Sequence, residues 1–193
     1  MYNIYPKVKE QFHIDGNFTL NEVNLFCEKN KNVFIDLQNI FKVNEVSIGD
    51  ANLKYLENKE LDDEELFDIY KARVDVFVVE QNCPYPDIDD IDKEAMHVTI
   101  YKNNQLKAYC RVFRKDEDTI QIGRVLSTQR NNHYGYDVMN EGIEVAKREF
   151  NAKQIYIEAQ VYAIPFYEKF NFKIISEPFL EDGIPHVKMI KEI

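Results

Sequence analysis

The sequence predicts an α/β (α+β) fold, a mixed central sheet with helices on both faces, and three observations carry that expectation. From about residue 51 the segments follow in the order strand, helix, strands, helix, strand, helix, strands, an arrangement that buries apolar faces by layering helices on a sheet. Tyr136, Met139, Ile143, Ala146 and Phe150 recur at spacings of three and four, the period of a helix with one apolar face. Ile155, Ile157 and Ala159 alternate with Tyr156, Glu158 and Gln160, the period of a strand.

Taken in order, residues 1–50 hold a helical candidate at 20–29 and a strand candidate at 33–37, and read as an N-terminal extension or small subdomain. Residues 53–56 are a short strand candidate. Asp62 then has the character of a helix N-cap, with Glu65 three residues on as its capping-box partner and Leu61 and Leu66 placed for a hydrophobic staple. Leu66, Tyr70, Val74 and Phe77 mark one face, predicting a helix over 63–79 that the Cys83-Pro84-Tyr85-Pro86 run ends. An acidic loop runs on through Asp92. Strands at 97–101 and 106–114 flank a Lys-Asn-Asn-Gln turn and read as a hairpin, with a third strand at 120–126. After the long helix and the strand at 155–160, Pro165 opens a short helix reaching Phe170. Strands at 172–175 and 186–190 close the chain.

Composition narrows the function classes. The chain has 193 residues, 45% of them hydrophobic, enough for one globular core. Its 24 basic against 34 acidic residues leave a net charge of −10, which disfavours nucleic acid as a partner, since phosphate binding is dominated by Lys and Arg. No secretory signal is visible in the first dozen residues, and apolar runs such as 76–79 are too short to span a bilayer. Cys27, Cys83 and Cys110 share no metal-type spacing and read as reduced thiols of a cytoplasmic protein with no metal site.

The chemistry concentrates in the strand–loop–helix unit at 120–150. A helix start presents unpaired N–H groups and partial positive charge, a ready site for phosphate. Here the preceding loop reads Arg130-Asn131-Asn132-His133-Tyr134-Gly135, followed by Tyr136, and Gly135 allows a ligand close to the backbone.

This chain resembles the GNAT superfamily of N-acetyltransferases, whose acetyl-CoA loop follows Gln/Arg-x-x-Gly-x-Gly/Ala. Arg130 and Gly135 match its first and last positions, and His133 replaces the middle Gly. His tolerates positive φ better than most residues. Ala163-Ile164-Pro165-Phe166-Tyr167-Glu168-Lys169-Phe170-Asn171-Phe172 is similar to the family's A-x-x-F-Y-E-K-x-G-F motif, with Asn171 for Gly at a left-handed helix exit. Val76-Phe77-Val78-Val79-Glu80-Gln81-Asn82-Cys83-Pro84-Tyr85, Ile122-Gly123-Arg124-Val125 and Glu181-Asp182-Gly183-Ile184-Pro185-His186 resemble the ElaA-like branch. The likeness covers residues 52–193 and implies a GNAT domain over 51–193 whose two central strands, at 120–126 and 155–160, splay at one end.

The resemblance further implies acetyl-CoA as cosubstrate, held by Val125, Leu126, Arg130, Asn131, Asn132, His133, Tyr134, Gly135 and Tyr136. It implies direct attack by a primary amine of a small molecule or peptide, and a homodimer is common in the family. Tyr167, matching the family tyrosine, becomes the candidate proton donor. Glu80, His97, Glu158 and His186 are candidate bases by residue type, with His186 the first choice because its Gly-Ile-Pro-His segment can line the acceptor side. Arg111 and Arg124, on strands, either anchor the acids at 87–92 or contact the acceptor. Two other readings stay open: a non-catalytic acyl-CoA-binding regulatory module, which His133 and Asn171 would favour, and an acyl-chain transferase of the acyl-homoserine-lactone synthase kind.

Overall fold

The structure, a computed structural model, describes residues 45–48, 51–57, 60–130 and 132–193, so the expectations at 20–29 and 33–37, and Cys27, lie outside the described residues. The chain divides into two units, Met1–Leu53 and Lys54–Ile193. The first contributes strand β1 (Glu45–Ile48), and β2 (Ala51–Glu57) leads into the second. The second unit holds every helix and strand that builds the site.

Helix α1 (Asp63–Arg73) starts as its sequence dictates. Asp62 Oδ1 accepts from the Glu65 N–H at 2.8 Å, and the Glu65 carboxylate accepts from the Asp62 N–H at 3.2 Å, so two orphan donors are satisfied reciprocally. The helix does not continue to Val79 as an α-helix. Val74–Glu80 winds as a π-helix, and the Gln81 and Cys83 N–H groups donate five residues back, to the Val76 and Val78 carbonyls. Four β-branched valines in this run favour α-helix weakly. The wider turn also re-aims the side chains: Val74 lies exposed, whereas Val76 and Phe77 pack on Ile69, Ala72, Leu106, Tyr109 and Leu126.

A 3-10 turn (Asp90–Lys93) leads into strand β3 (Met96–Lys102), which pairs antiparallel with β4 (Gln105–Arg114). Asn103 and Asn104, at φ 53° and 56°, supply the two left-handed residues of a tight hairpin turn. Strand β5 (Thr119–Ser127), helix α2 (Tyr134–Phe150), strand β6 (Gln154–Gln160), helix α3 (Ile164–Glu168) and strand β7 (Lys173–Ile174) come next, in the expected order. Asn171 takes φ 64° after α3, its N–H donating to the Glu168 carbonyl at 2.9 Å. A strand the sequence did not announce, β8 (Phe179–Glu181), turns through Asp182 and Gly183 at φ 49° and 81° into β9 (Ile184–Glu192).

In this unit the strands lie in the order β3-β4-β5-β6-β9-β7, with β8 also on β9. β5 and β6 are parallel, whereas β3–β4, β4–β5, β6–β9, β7–β9 and β8–β9 are antiparallel. Neighbouring residues of β4 show which helix covers which face. Tyr109 packs with Ile69 and Ala72 of α1. Cys110, one residue on and on the opposite face, meets α2: a methyl group at Gly142 would come within 3.0 Å of its sulfur. Gly142 thus lets α2 lie close against Cys110, Ile122 and Val112.

Candidate active site

The site begins with a break in strand pairing. β5 and β6 pair at Thr119↔Gln154, Ile120↔Ile155 and Gln121↔Tyr156, and there the ladder stops, although β5 runs to Ser127 and β6 to Gln160. β6 stays in unbroken register with β9 up to Gln160↔His186, while β5 follows β4 through a bulge. Arg111 faces Gly123 and Tyr109 faces Leu126, so Arg124 and Val125 together oppose Cys110. Arg124 sits at φ 53°. The extra residue bends β5 away from β6 and opens a wedge bordered by the backbone of Val125 and Leu126. The Leu126 side chain itself is core.

At the mouth of the wedge α2 begins. His133, its N-cap, adopts φ 59° and ψ −6° and offers no side-chain cap. Its carbonyl accepts from the Tyr136 and Asp137 N–H groups at 2.8 and 3.0 Å. The Tyr136 N–H is therefore engaged, while those of Tyr134 and Gly135 stand in the first turn, where no intrahelical acceptor exists. Gly135 lies against the end of β5, an added methyl reaching 3.9 Å from Ser127 Cβ. These features fit a pyrophosphate: donors without a partner among the described residues, a positive helix end and, at Gly135, no side chain to block approach. Asn132 donates from its amide to the Arg130 carbonyl at 3.2 Å. The Arg130 guanidinium is paired with Glu80 at the end of the π-helical run. The Tyr136 ring turns aside onto Phe170, centroids 4.7 Å apart. Asn131 lies outside the described residues.

Tyr167 stands on α3, edge-on to Phe166 and Phe172 at 5.1 and 6.2 Å. Its hydroxyl has no hydrogen-bond partner among the described residues. Burial pushes its pKa well above the usual phenol value, with the Tyr162 and Cys110 sites adding to the rise. At neutral pH it is a phenol that still holds its proton. Cys110, within electrostatic reach of it, is the residue that opposes the bulge.

The base candidates separate by their surroundings. His97 is fully buried with both ring nitrogens engaged, at 2.8 Å from Tyr109 Oη and 2.9 Å from the Asp92 carbonyl. Burial disfavours its charged form and lowers its pKa, so it reads as a neutral structural group. Glu80 is held by Arg130. Glu158 accepts from Tyr156 Oη at 2.7 Å and from the Gln121 amide at 3.4 Å. His186 lies opposite Gln160 at the open end, and Gln160 exchanges amide hydrogen bonds of 2.9 and 3.4 Å with Gln81. His186 Nδ1 is 2.8 Å from the Ile184 carbonyl. A carbonyl only accepts, so Nδ1 carries the hydrogen and a neutral ring keeps the Nε2 lone pair. Glu181 Oε2, 3.9 Å from Nε2, is placed to stabilise the ring once protonated.

On the α1 face the strand arginines meet the acidic loop, the first of their two readings. Arg111 Nη1 donates to Asp89 and Asp92 at 2.7 and 2.8 Å, and Arg124 Nε to Asp87 at 2.7 Å. A third arginine was not singled out by the sequence. Arg73, fully buried in the last turn of α1, donates to Asp87 Oδ2 at 2.8 Å, Asp92 Oδ1 at 2.6 Å and the Asp87 carbonyl at 2.6 Å. Burial alone would raise the Asp92 pKa, but the hydrogen bonds from Arg73 and Arg111 outweigh it and hold it below the usual carboxylate value. The available signal was Arg73 falling four residues after Ile69 and three after Tyr70, on the inward side of the helix.

The family model for the acetyltransferase (GNAT) domain matches residues 59–193. The chain belongs to the GNAT acetyltransferase family. Its likeness to Escherichia coli ElaA places it in the ElaA-like branch: that protein is 37% identical over 144 residues, 72% of this chain and 94% of ElaA. The crystal structure of Escherichia coli ElaA superposes with a TM-score of 0.69 at 34% identity, covering 74% of this chain and 99% of that one. A UPF0039 protein of Schizosaccharomyces pombe is 42% identical over 137 residues, 69% of this chain and 91% of its own. An acyl-CoA N-acyltransferase from Pseudomonas aeruginosa matches with TM-score 0.69 and 31% identity, over 73% of this chain and 99% of its own. Membership makes this GNAT protein an N-acetyltransferase, and acyl-CoA-dependent acetyl transfer is the reaction of its family. Among the described residues no helix is long and apolar enough to cross a membrane.

Proposed function

We propose that the protein moves the acetyl group of acetyl-CoA directly onto a primary amine of a small molecule or peptide, with Tyr167 as proton donor and His186 as proton acceptor. The observation that supports this reading is that the β5–β6 ladder stops at Gln121↔Tyr156 while both strands run on, with the uncapped start of α2 following β5. The Tyr134 and Gly135 N–H groups would hold the pyrophosphate, and the β5 edge at Val125 and Leu126 would pair with the pantetheine arm. Bound acetyl-CoA supplies an activated thioester carbonyl.

Everything else falls to the chain. A backbone N–H near Val125 donates to the carbonyl oxygen as charge develops on it, which is where preorganised donors act most strongly. The wedge sets amine and carbonyl at bonding distance. As the N–C bond forms and the C–S bond breaks, His186 Nε2 takes the amine proton and the Tyr167 hydroxyl protonates the departing thiolate. Glu181 offsets the charge gained by His186. The two replacements that favoured a non-catalytic module do not disturb the backbone: His133 and Asn171 both take the left-handed conformation, at φ 59° and 64°.

The test is release of free CoA thiol from acetyl-CoA with a panel of primary amines. Turnover with at least one amine, lost in Tyr167→Phe, is the expected result. Full turnover by Tyr167→Phe removes the tyrosine from the mechanism, and thermal stabilisation by CoA without thiol release from any amine removes the reaction.

A further inference from the structure

Arg124 occupies an expensive conformation at a sensitive place. It is a non-glycine residue at φ 53°, at the head of the bulge that parts β5 from β6, and its next neighbour is Val125. A side-chain-bearing residue stays in the left-handed region only when its surroundings over-determine it. Here they do. Arg124 Nε donates to Asp87 Oδ1 at 2.7 Å, Nη2 to the Asp87 carbonyl at 3.2 Å, and Nη2 lies 3.7 Å from Asp89 Oδ2. The guanidinium stands over the Tyr85 ring at 5.4 Å, and Tyr85 Oη donates to the same Asp87 oxygen at 2.5 Å.

Asp87 is in turn immovable. It is 3% exposed, and its second carboxylate oxygen and its carbonyl both accept from Arg73, which is fully buried in α1. A continuous set of charge-assisted hydrogen bonds therefore runs from α1 through Asp87 to the bulge. The guanidinium is spent on the acidic loop, so its placement serves the backbone that carries it.

We propose that Asp87 and Arg124 form a positioning clamp: by tying the bulge to Arg73 on α1, they hold Arg124 in its left-handed conformation and so set the Val125 N–H at the wedge. The clamp rests on the proposed function, in which a donor near Val125 polarises the thioester carbonyl. It acts on the acetyl-transfer step and leaves acetyl-CoA binding to the α2 start.

The test pairs Arg124→Gly, which keeps the backbone free to adopt φ 53° but cuts the tie, with Arg124→Lys, which keeps the charge. Hydrogen exchange of the Val125 amide, followed by NMR, is read beside kcat, the KM values for acetyl-CoA and amine, and Tm. In Arg124→Gly, Val125 exchange should rise at least about tenfold and kcat should fall about 10²-fold, the scale of a misplaced reacting group. The KM for acetyl-CoA should stay within about threefold, and ethylguanidinium added to Arg124→Gly should restore part of kcat. Arg124→Lys should fall between and serves alone should Arg124→Gly not fold. Wild-type Val125 exchange and kcat in a folded variant, with only Tm lowered, would overturn the clamp. A loss confined to the KM for the amine would also overturn it, making Arg124 an acceptor contact. If the wild type turns over no amine yet Val125 exchange still responds to Arg124→Gly, the clamp stands and the proposed reaction fails.

Discussion

The two faces of the sheet treat polar groups in opposite ways. Beneath α1, three guanidinium groups and three carboxylates interlock, Arg111 Nε alone of that set being buried without a partner among the described residues, and Tyr109 Oη and the Asp92 carbonyl engage both nitrogens of His97. At the wedge beside α2 and α3, by contrast, polar groups have no partner among the described residues: the Tyr134 and Gly135 N–H groups at the uncapped α2 start, and the Tyr167 hydroxyl. A buried polar group that is paired holds structure together, since removing its partner leaves an uncompensated dipole or charge. One that is kept unpaired at an opening retains its donor or lone pair for a ligand. By that measure the chemically inviting Arg111, Arg124 and His97 are structural, and the plainer Tyr167 is the group proposed to react.

This contrast can be broken by substitution, and the largest effect belongs to the closed side. Arg73→Met takes from Asp87 and Asp92 their most buried partner, leaving Asp87 to Arg124 and Tyr85 and Asp92 to Arg111, and should lower the unfolding free energy by about 3 kcal/mol, read from urea titration. Next comes Tyr167→Phe. Its hydroxyl makes no hydrogen bond to a described residue, so stability should stay within about 1 kcal/mol, while kcat for thiol release falls at least about 10²-fold. A large stability loss with intact kcat would put Tyr167 on the structural side.

A pH titration sharpens the comparison further. The folded pKa of His97 lies below its ordinary value of 6.5, so its contribution is fully present above about pH 6.5 and is lost as pH falls through the folded pKa, where the unfolded chain binds the proton first. Asp92, also depressed, behaves alike in a lower window: its contribution is complete above about pH 4 and vanishes on further acidification. Urea midpoints between about pH 7.5 and 5 should fall for the wild type and fall less for His97→Gln. Equal slopes would show that another group titrates there. The smallest effect is at the open side's edge. His133→Gly relieves a left-handed side chain at the cost of a more flexible unfolded chain, so stability should move by less than about 1 kcal/mol, and the Kd for acetyl-CoA, measured by calorimetry, by a few fold at most.

Much of the fold was legible because its signals are local. The Asp62–Glu65 capping box, the Asn103–Asn104 turn and the α2 stripe each lie within a few residues, and the structure repeats them. The α1 prediction failed where local and long-range demands part: the apolar spacing through Val74 and Phe77 suits an α-helix, but packing on Tyr109 and Leu126 selects a π-helix that turns Val74 out. At the candidate site, the loop and the tyrosine were proposed through family motifs. Arg73 was hidden because its partners come 14 and 19 residues later, in a loop that reads only as acidic.

The sequence by itself determined the element order, the helix starts and the left-handed turns, all of which depend on backbone preference and short-range hydrogen bonding. Only the tertiary structure decided which charges are buried in pairs, where the β5 ladder leaves β6, and which of Tyr167, His97 and His186 keeps a free proton or lone pair. Those outcomes turn on the neutralisation and desolvation of groups far apart in the chain, and the distance between them exists only once the chain has folded.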